Sequence, residues 1–391
     1  MEICVIARSF EPIEKMADGY SLRCMNIVRH LQALNHNVTI LEFSRENKVI
    51  KIMNMTFMHM KCMAKNPLHD LFAKLLTFDP IKEILFITNS FLVLLKYKKV
   101  IEKCDTVLIE GALIPSAFII SKVARKNIIF DTHCINRLLA KNYKKRNLLV
   151  YFLRTIFWDF LERFAIKMSD VIITVSESEK EFVIKEYKAP ETKVFVVPNI
   201  VEPPRKVPKE VAEGLRGKLG LKNKIVVTFV GNLESVQNAD AVEYIINELA
   251  PWFWKKRRDV VFLIIGRGKD RFKCDLPNVV FTGFVKELGP YLVMSDICIA
   301  PLRVGAGIKT KIIEYLAYGK TVITTPIGIE GLENFINPNI VHICSIEAFK
   351  DVLYEVISKG MLMEERTRES NLSPMYREFE DKIKAILKVI K

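Results

Sequence analysis

The sequence predicts an α/β protein with two doubly wound, Rossmann-like domains that face each other across a cleft. In the first half of the chain, short apolar runs that favour buried strands alternate with amphipathic helical patterns. Residues 198–208 (PNIVEPPRKVP) contain four prolines and no periodic pattern, which is typical of a linker, and the alternation begins again after it. We therefore place one domain at residues 1–200 and the second at residues 201–373, with a small-molecule site expected in the cleft.

Apolar runs bounded by polar or turn residues place the strands of both domains. In the first domain, strands are predicted at 2–7, 37–42, 105–110, 127–131, 170–175 and 193–197, with helices at 21–34, 69–102, 114–124, 147–168 and 178–187. In the second, strands are predicted at 225–230, 260–265, 279–282, 297–301, 321–325 and 340–344, with helices at 238–254, 309–318 and 346–358. The tail 374–391 has an apolar helical stripe and is expected to close the second domain or to cross back onto the first.

Composition and charge limit the classes of function. Half of the 391 residues are hydrophobic, so the chain can bury a large core. The net charge of +14 favours anionic partners such as nucleotide phosphates or a phospholipid surface, while the short basic clusters lack the interleaved aromatic residues of nucleic-acid sites. The eight cysteines occur singly, without zinc spacing, and the chain begins directly with a strand. These features predict reduced thiols in a cytosolic protein without a signal peptide.

Residues 296–325 carry the strongest functional signal. They form the pattern of a buried strand, a Gly-rich loop, a short helix and a second strand, which puts the loop at the carboxyl edge of a sheet. Gly305 and Gly307 permit close approach of a ligand, and helix N–H groups with the mobile charge of Lys309 favour a diphosphate. Glu314 can accept hydrogen bonds from the two hydroxyls of a ribose. A plain turn and a solvated glutamate explain the same pattern, so this segment alone leaves both interpretations open.

Four further features follow predicted strands, as expected for a binding site. They are Asp18-Gly19, Asp131-Thr132-His133, Val230-Gly231-Asn232 and Ile265-Gly266-Arg267-Gly268. The glycines permit close approach of a sugar or phosphate, and a histidine can hydrogen-bond either group. A plain turn at Gly19 and a packed or solvated side chain at His133 are the alternatives.

With these motifs in this order, the chain resembles the retaining, nucleotide-sugar-dependent glycosyltransferases of group 1 (family 4), which have the GT-B fold. DTH at 131–133 is similar to the segment with the family's active-site histidine, and SDVIITVSESEKEFVIKEY followed by KVFVVPNIVE resembles its central block. FVGNLESVQNADAVEYIINELAP, IIGRG and, most specifically, GIKTKIIEYLAYGKTVITTPIGIEGL resemble its donor domain. The resemblance implies transfer of a sugar from a nucleotide-diphosphate sugar to a glycan or lipid-linked acceptor, with no cofactor and no metal.

The resemblance also implies roles for individual residues. The first domain is expected on the acceptor side and the second to bind the donor, with Glu314 on the ribose. His133 and Lys309 are expected to be catalytic. The expected donor-binding residues are Gly19, Gly231, Asn232, Arg267, Gly305, Gly307, Lys309 and Glu314. The chain has no Asp-x-Asp pair, which agrees with stabilisation of the leaving diphosphate by Lys309 and helix N–H groups rather than by a metal.

Two departures from the family pattern affect the donor site. Many members carry two glutamates eight positions apart, and the first of them would fall at Ala306. Many also carry an Arg and a Lys after the opening strand of the donor domain, where this chain has Asn232 and Gln237. Neutralisation of the phosphates is therefore expected from other basic side chains, namely Lys309 with Arg267 or Arg303 in support. A nucleotide-sugar epimerase of the same architecture and a catalytically idle scaffold protein remain as alternatives.

Apolar and basic residues cluster in two parts of the first domain. Residues 69–103 are rich in Phe and Leu and end in lysines, and the basic stretch 141–146 precedes LLVYFLRTIFWDFL. Exposed apolar side chains beside basic residues bind anionic membrane surfaces. We expect a cytosolic enzyme that touches the inner membrane face, and a buried core with solvated lysines is the alternative.

Overall fold

The chain folds into two α/β units. The computed structural model describes residues 1–8, 19–44, 47–52, 55–61, 80–140, 148–201, 206–305, 307–360 and 373–390. Contacts divide the chain into Met1–Asn199 with Arg377–Lys391, and Ile200–Tyr376. Each unit is built on its own largely parallel sheet, which confirms the predicted architecture of two Rossmann-like domains.

The first unit contains a sheet with the strand order β3-β4-β2-β1-β5-β6-β7-β8. Its strands are β1 (Glu2–Arg8), β2 (Asn37–Ser44), β3 (Lys48–Ile52), β4 (Met55–Lys61), β5 (Thr106–Glu110), β6 (Asn127–Asp131), β7 (Val171–Thr174) and β8 (Val194–Val196). All neighbouring strands are parallel except β3 and β4. The strand order reverses between β1 and β5, so ligands are expected at the carboxyl ends of these two strands.

Helices cover this sheet. They are α1 (Gly19–Ala33), α2 (Pro80–Lys96), α3 (Lys98–Lys103), α4 (Pro115–Val123), α5 (Asn136–Ala140), α6 (Leu148–Met168) and α7 (Glu177–Tyr187). The core combines apolar residues of the strands with Phe86, Phe118, Trp158 and Leu161 from the helices. Within the described residues, no helix is both long and apolar enough to span a bilayer.

The second unit has a parallel sheet with the order β11-β10-β9-β12-β13-β14. Its strands are β9 (Ile225–Val230), β10 (Val260–Ile265), β11 (Val279–Gly283), β12 (Ile297–Ala300), β13 (Thr321–Thr324) and β14 (Val341–Ile343). Its helices are α8 (Lys209–Lys218), α9 (Val236–Tyr244), α10 (Ala250–Lys256), α11 (Gly289–Met294), α12 (Thr310–Ala317) and α13 (Phe349–Ser358). The order reverses between β9 and β12, which places the loops after these strands at the expected ligand edge.

The structure differs from the predicted elements in several places. The short helices α5, α8 and α11 were not predicted. The hairpin of β3 and β4 was not predicted, because an edge strand with Lys48 and Lys51 does not form a continuous apolar run. The single helix predicted at 69–102 is two helices, α2 and α3, and residues 69–79 of that prediction lie outside the described residues. The helix predicted at 238–254 has a π-helical turn at Ile245–Leu249, which ends two residues before Pro251, a residue that lacks the N–H of a regular helix.

The helix at the end of the chain, α14 (Ser373–Val389), packs mainly on the first unit. Phe379 lies edge-on to the ring of His30, with 4.7 Å between centroids. Asn127 at the start of β6 donates from Nδ2 to the carbonyl of Ile390 at 2.9 Å. The apolar stripe of the tail therefore completes the core of the unit that begins the chain.

Candidate active site

A cluster of polar side chains lies at the carboxyl ends of β5 and β6. Glu110 ends β5 and is the register partner of Asp131, which ends β6. The turn after β6 carries His133, and α1 brings Tyr20 and Arg23 to the same place. We refer to these five residues as the His133 cluster. They adjoin the reversal of strand order between β1 and β5, where Rossmann-like sheets bind ligands.

His133 is held by a carboxylate and an aromatic ring. Its Nε2 is in close contact with Glu110 Oε2, and its ring stacks on Tyr20 with 4.1 Å between centroids and 17° between planes. The hydroxyl of Tyr20 donates to the carbonyl of Glu110 at 3.1 Å. His133 has φ = 55°, a left-handed conformation that is uncommon for a residue with a side chain and is often found at functional sites.

Glu110 and His133 can share one proton. Glu110 is buried, and burial raises its pKa while the attraction of His133 opposes that rise. Among the described residues, Glu110 Oε1 has no hydrogen-bond partner. The side chain of Glu110 is fully buried and that of His133 is 10% exposed, so the imidazole is the part of the pair that a polar ligand can reach.

Arg23 and Asp131 form a buried ion pair that supports the same turn. Arg23 donates from Nε and Nη2 to the two Asp131 oxygens at 2.8 Å each, and from Nη1 to Val197 O at 2.9 Å and Asn199 Oδ1 at 2.8 Å. Burial alone would raise the pKa of Asp131, but Arg23 and then His133 outweigh it and hold that pKa below its usual value. Asp131 is therefore a charged structural anchor directly before the His133 turn.

Two further buried glutamates hold the turn on its other side. Glu179 Oε1 accepts from the backbone N–H of Ile135 at 3.3 Å, and Glu162 Oε1 accepts from that of Asn136 at 2.6 Å. Burial raises the pKa of each carboxyl to about 7. The backbone on both sides of His133 is thus fixed by carboxylates.

The His133 cluster also contains the ligand types of a metal site. One ligand atom each from Glu110, Asp131 and His133 lie within 4.8 Å of one another. Both oxygens of Asp131 already accept hydrogen bonds from Arg23, whose guanidinium neutralises the carboxylate. The chemistry of this donor set therefore fits an internal ion-pair network better than a cation site, and we assign no metal to it.

In the second unit, glycines bring the loops after β9 and β10 into contact. A Cβ on Gly231 would lie 2.6 Å from Asn238 Nδ2, and one on Gly266 would lie 1.7 Å from Gly231 O. The side chain of Asn238 donates to Asn232 O at 2.9 Å, and the N–H of Leu233 donates to Arg267 O at 2.9 Å. These contacts explain why the sequence places glycine after both strands.

The loop before α12 completes this edge. Gly305 and Gly307 have φ values of 147° and 71°, which favour glycine. Lys309 is only 8% exposed, its Nζ donates to Gly307 O, and it lies 3.8 Å from Glu330 Oε2. The prediction of a mobile charge at Lys309 was wrong in this respect, because the side chain folds back against its own loop.

Helix α12 carries Glu314 on the same face as Lys311. Glu314 is half-buried, and burial raises its pKa to about 7 while Lys311 lowers it. Lys311 Nζ donates to Asn238 Oδ1 at 2.5 Å, which connects α12 to the first turn of α9. We refer to Gly231, Asn232, Asn238, Lys309, Lys311 and Glu314 as the switch-point site.

The other predicted site residues have different surroundings. Gly19 is the first residue of α1, immediately before Tyr20, whereas Asp18 and Ala306 lie outside the described residues. Arg267 is half-buried on the loop after β10, next to the switch-point site. Arg303, predicted to support a phosphate, instead donates to both Asp240 oxygens at 2.9 Å.

Sequence reasoning missed several residues of both sites. Glu110 is the last residue of a correctly predicted strand. The criterion that identified His133, a polar residue at the carboxyl end of a strand, could therefore also have identified Glu110. Tyr20 and Arg23 face inward from a helix, and no local pattern indicates their partners. Lys311 stands out only through its contacts with other elements.

Two family models match the chain. "Glycosyl transferases group 1" matches residues 224–359, and "Glycosyltransferase Family 4" matches residues 17–205. A UDP-Gal:alpha-D-GlcNAc-diphosphoundecaprenol alpha-1,3-galactosyltransferase from Escherichia coli is 28% identical over 223 residues, which are 52% of this chain and 56% of that protein. The match thus spans about half the length of this curated relative.

Solved structures share the fold over the whole chain. Anabaena HepE in complex with UDP has a TM-score of 0.65 at 14% identity, covering 100% of this chain and 98% of that one. Sucrose-phosphate synthase from Thermosynechococcus elongatus has a TM-score of 0.68 at 14% identity, covering 100% and 96%. At these identities the likeness concerns the fold alone.

Proposed function

The chain belongs to the group 1 (family 4) glycosyltransferases and has the GT-B fold, and from this premise we propose that it is a retaining hexosyltransferase. The donor is a nucleotide-diphosphate sugar, and the acceptor is a glycan or a lipid-linked sugar. The observation that carries this proposal is the switch-point site, where lysines, a carboxylate and glycine-rich loops meet at the ligand edge of the second sheet.

The switch-point site supports binding of the nucleotide part of the donor. Glu314 lies about one helical turn from the start of α12, and its carboxylate can accept hydrogen bonds from both hydroxyls of a ribose. Gly305 and Gly307 have positive φ values, and such a glycine-rich loop at a helix N-terminus can bring its backbone N–H groups close to a diphosphate. These features support our proposal that Glu314 binds the nucleoside and that the loops beside it bind the phosphates.

Charge on the leaving diphosphate grows as the bond to the sugar breaks. Lys309 and the N–H groups at the start of α12 supply positive potential at that point, which favours the transition state over the ground state. We infer that this protein charge replaces the metal ion that other enzymes use for the same purpose. Transfer should therefore continue when divalent cations are chelated.

The His133 cluster is proposed to contribute to transfer from the first unit. Glu110 and the stack on Tyr20 fix the His133 ring, and the buried glutamates fix its backbone. Such rigid positioning suits a residue that must hold a sugar hydroxyl or a phosphate during the reaction. His133 is the only one of these side chains that sequence and family pattern both indicate.

An exposed apolar surface supports contact with a membrane, where a lipid-linked acceptor would reside. On α6, Leu148, Phe152, Ile156 and Phe160 recur every fourth residue and are 69%, 59%, 53% and 68% exposed. Helix α4 contacts both α2 and α6 and adds exposed apolar residues, as does α2. We call this exposed face of the three helices the α2–α4–α6 surface.

Basic side chains accompany the α2–α4–α6 surface. Lys96 and Lys99 are exposed at the end of α2 and the start of α3, and Arg163 and Lys167 are exposed on α6. The predicted basic stretch 141–146 lies outside the described residues. Each basic residue near an anionic bilayer contributes roughly 1 kcal/mol of attraction, so this charge complements anionic lipid. We propose a peripheral protein on the cytoplasmic membrane face.

Sugar transfer by the purified protein tests this function. UDP-galactose and a polyprenyl-diphosphate-linked N-acetylglucosamine are the first substrates, because the curated relative's name contains both groups. Product formed with EDTA present, with the donor's anomeric configuration kept in NMR spectra, is the expected result. GDP- and ADP-sugars and other lipid-linked sugars follow if this pair is inactive. Absence of transfer with every pair, by protein that is folded and binds no nucleotide, would contradict the proposal.

A further inference from the structure

Lys311 lies in the first turn of α12, and its ammonium group reaches the first turn of α9 and the end of β9. Its Nζ donates to Asn238 Oδ1 at 2.5 Å and lies 4.1 Å from the centroid of the Phe229 ring. Asn238 donates in turn to Asn232 O at 2.9 Å. The lysine is therefore fixed at the reversal of strand order rather than extended into solvent.

The charge of Lys311 has poor compensation within the described residues. No carboxylate of that part of the chain forms an ion pair with it, and its hydrogen-bond acceptor is a neutral amide. The charged groups that face it are Lys309, which repels it, and Glu314, which attracts it. Burial is the main cause that lowers the pKa of Lys311 to about 7, followed by the repulsion from Lys309. A partly buried cation of this kind gains strongly from an added anion.

We propose that Lys311 is the diphosphate-binding cation at the carboxyl end of β9, and that it takes up a proton when a nucleoside diphosphate binds. This inference rests on the proposed donor site. Asn232 in the loop after β9 and Gln237 in the first turn of α9 are neutral, and Lys311 brings an ammonium group to this place from α12. Lys309 is engaged with Gly307 O and Glu330, which leaves Lys311 as the lysine best placed for a second phosphate.

Proton uptake makes donor affinity depend on pH with a defined sign. A bound diphosphate stabilises the charged lysine, so the pKa of Lys311 rises in the complex. Below pH 7 the lysine is charged before and after binding, and affinity does not change through this group. Above pH 7 the free protein must gain a proton, so affinity for UDP should fall by a factor approaching about tenfold per pH unit between pH 7.5 and 9. Glu314, with its pKa of about 7, is largely ionised in this window.

Calorimetric titration of the full chain with UDP tests the inference. At pH 8, comparison of buffers with different ionisation enthalpies should report uptake of close to one proton per UDP, about 0.9 by this linkage. Lys311→Arg keeps the charge and removes the titration, so it should bind UDP without proton uptake and with flat affinity from pH 7.5 to 9. Lys311→Met should bind about 10- to 150-fold more weakly at pH 7 and also without uptake. Lys256→Met, at an exposed position at the end of α10, is the matched control and should behave as wild type.

The outcomes separate this inference from the function on which it rests. If the wild-type protein binds UDP without proton uptake, or if Lys311→Met takes up as many protons as wild type, the role of Lys311 is excluded. The proposed donor site is not affected by either result. Failure of the wild-type protein to bind UDP, ADP or GDP overturns the donor site and the inference together. Lys311→Met leaves Asn238 Oδ1 without this donor, so circular dichroism must show that the variant is folded; Lys311→Arg keeps a donor and tests the inference independently.

Discussion

Replacement of Arg23 by methionine should destabilise the first unit by several kcal/mol. Arg23 is almost fully buried and donates four hydrogen bonds, two of them to Asp131, which is also buried. Methionine keeps most of the length of the side chain and removes its charge. The variant therefore leaves Asp131 as a buried carboxylate without its guanidinium partner, and leaves Val197 O and Asn199 Oδ1 without this donor.

The magnitude follows from these contacts. Removal of one partner of a buried ion pair costs about 3–5 kcal/mol, and each unsatisfied acceptor adds roughly 1–3 kcal/mol, although the terms are not additive. We expect a loss of about 4–7 kcal/mol, close to the whole stability of many domains. The double variant Arg23→Met/Asp131→Leu removes both charges and should recover about 3 kcal/mol, because an apolar pair can replace a buried ion pair.

Hydrogen exchange resolved by segment measures this loss, since it reports each unit separately. Amides of β6 in the first unit should lose protection in Arg23→Met, while those of β10 in the second unit serve as the internal control. Because the pKa of Asp131 is lowered in the folded protein, the ion pair contributes above the unfolded value near pH 3.9 and is lost as pH falls through the lower folded value. The difference in protection of the β6 amides between Arg23→Met and wild type should therefore become smaller in acid. Protection of β6 within about 1 kcal/mol of wild type at pH 7, or a gap that does not change with pH, would refute the reasoning.

The remaining predictions concern transfer and membrane contact. Glu314→Gln keeps the shape of the ribose acceptor without its charge and should weaken donor binding in calorimetry. Lys309→Ala should lower turnover more than affinity, because the charge of Lys309 acts on the leaving group. Unchanged donor binding in Glu314→Gln together with wild-type turnover in Lys309→Ala would exclude these roles. His133→Ala should fold normally and transfer sugar more slowly, and a wild-type rate in a folded variant would remove His133 from the mechanism. Phe160→Ser should co-sediment less than wild type with anionic liposomes at low salt. Val211→Ser, which changes an exposed apolar residue of the second unit, should co-sediment as much as wild type. Failure of the wild-type protein to bind such liposomes would contradict the membrane proposal.

The fold could be predicted because parallel strands buried on both faces leave a strong signal. Runs such as ICVIA, VLIE and VFLII are continuous apolar segments, and each became a strand of a sheet with the expected order of elements. The edge hairpin of β3 and β4 lacks that signal. Its lysines and its 61% exposed Val49 suit the margin of a sheet, where solvation replaces burial.

The candidate sites were predictable only where function depends on the backbone. Gly231 is tightly packed against its neighbours, and Gly305 and Gly307 have positive φ values. Such positions require glycine, so the local sequence itself indicates them. The partners of Arg23 and Lys311 come from distant segments, so their importance depends on contacts that no local pattern contains. The ion pair of Arg303 with Asp240 could not be predicted for the same reason. Because Arg303 is paired there, it is less available to a phosphate than the sequence suggested.

The return of α14 to the first unit affects the order in which the protein can fold during synthesis. Phe379, Ile383 and Ile386 of α14 are buried, yet they follow the whole of the second unit in the chain. At roughly 5–20 residues per second, a ribosome needs on the order of 10–35 s to make residues 200–376. During that time the first unit keeps an apolar surface open that its own last helix must cover. A chaperone that shields this surface should therefore raise the yield of folded protein more than one that acts on the completed chain.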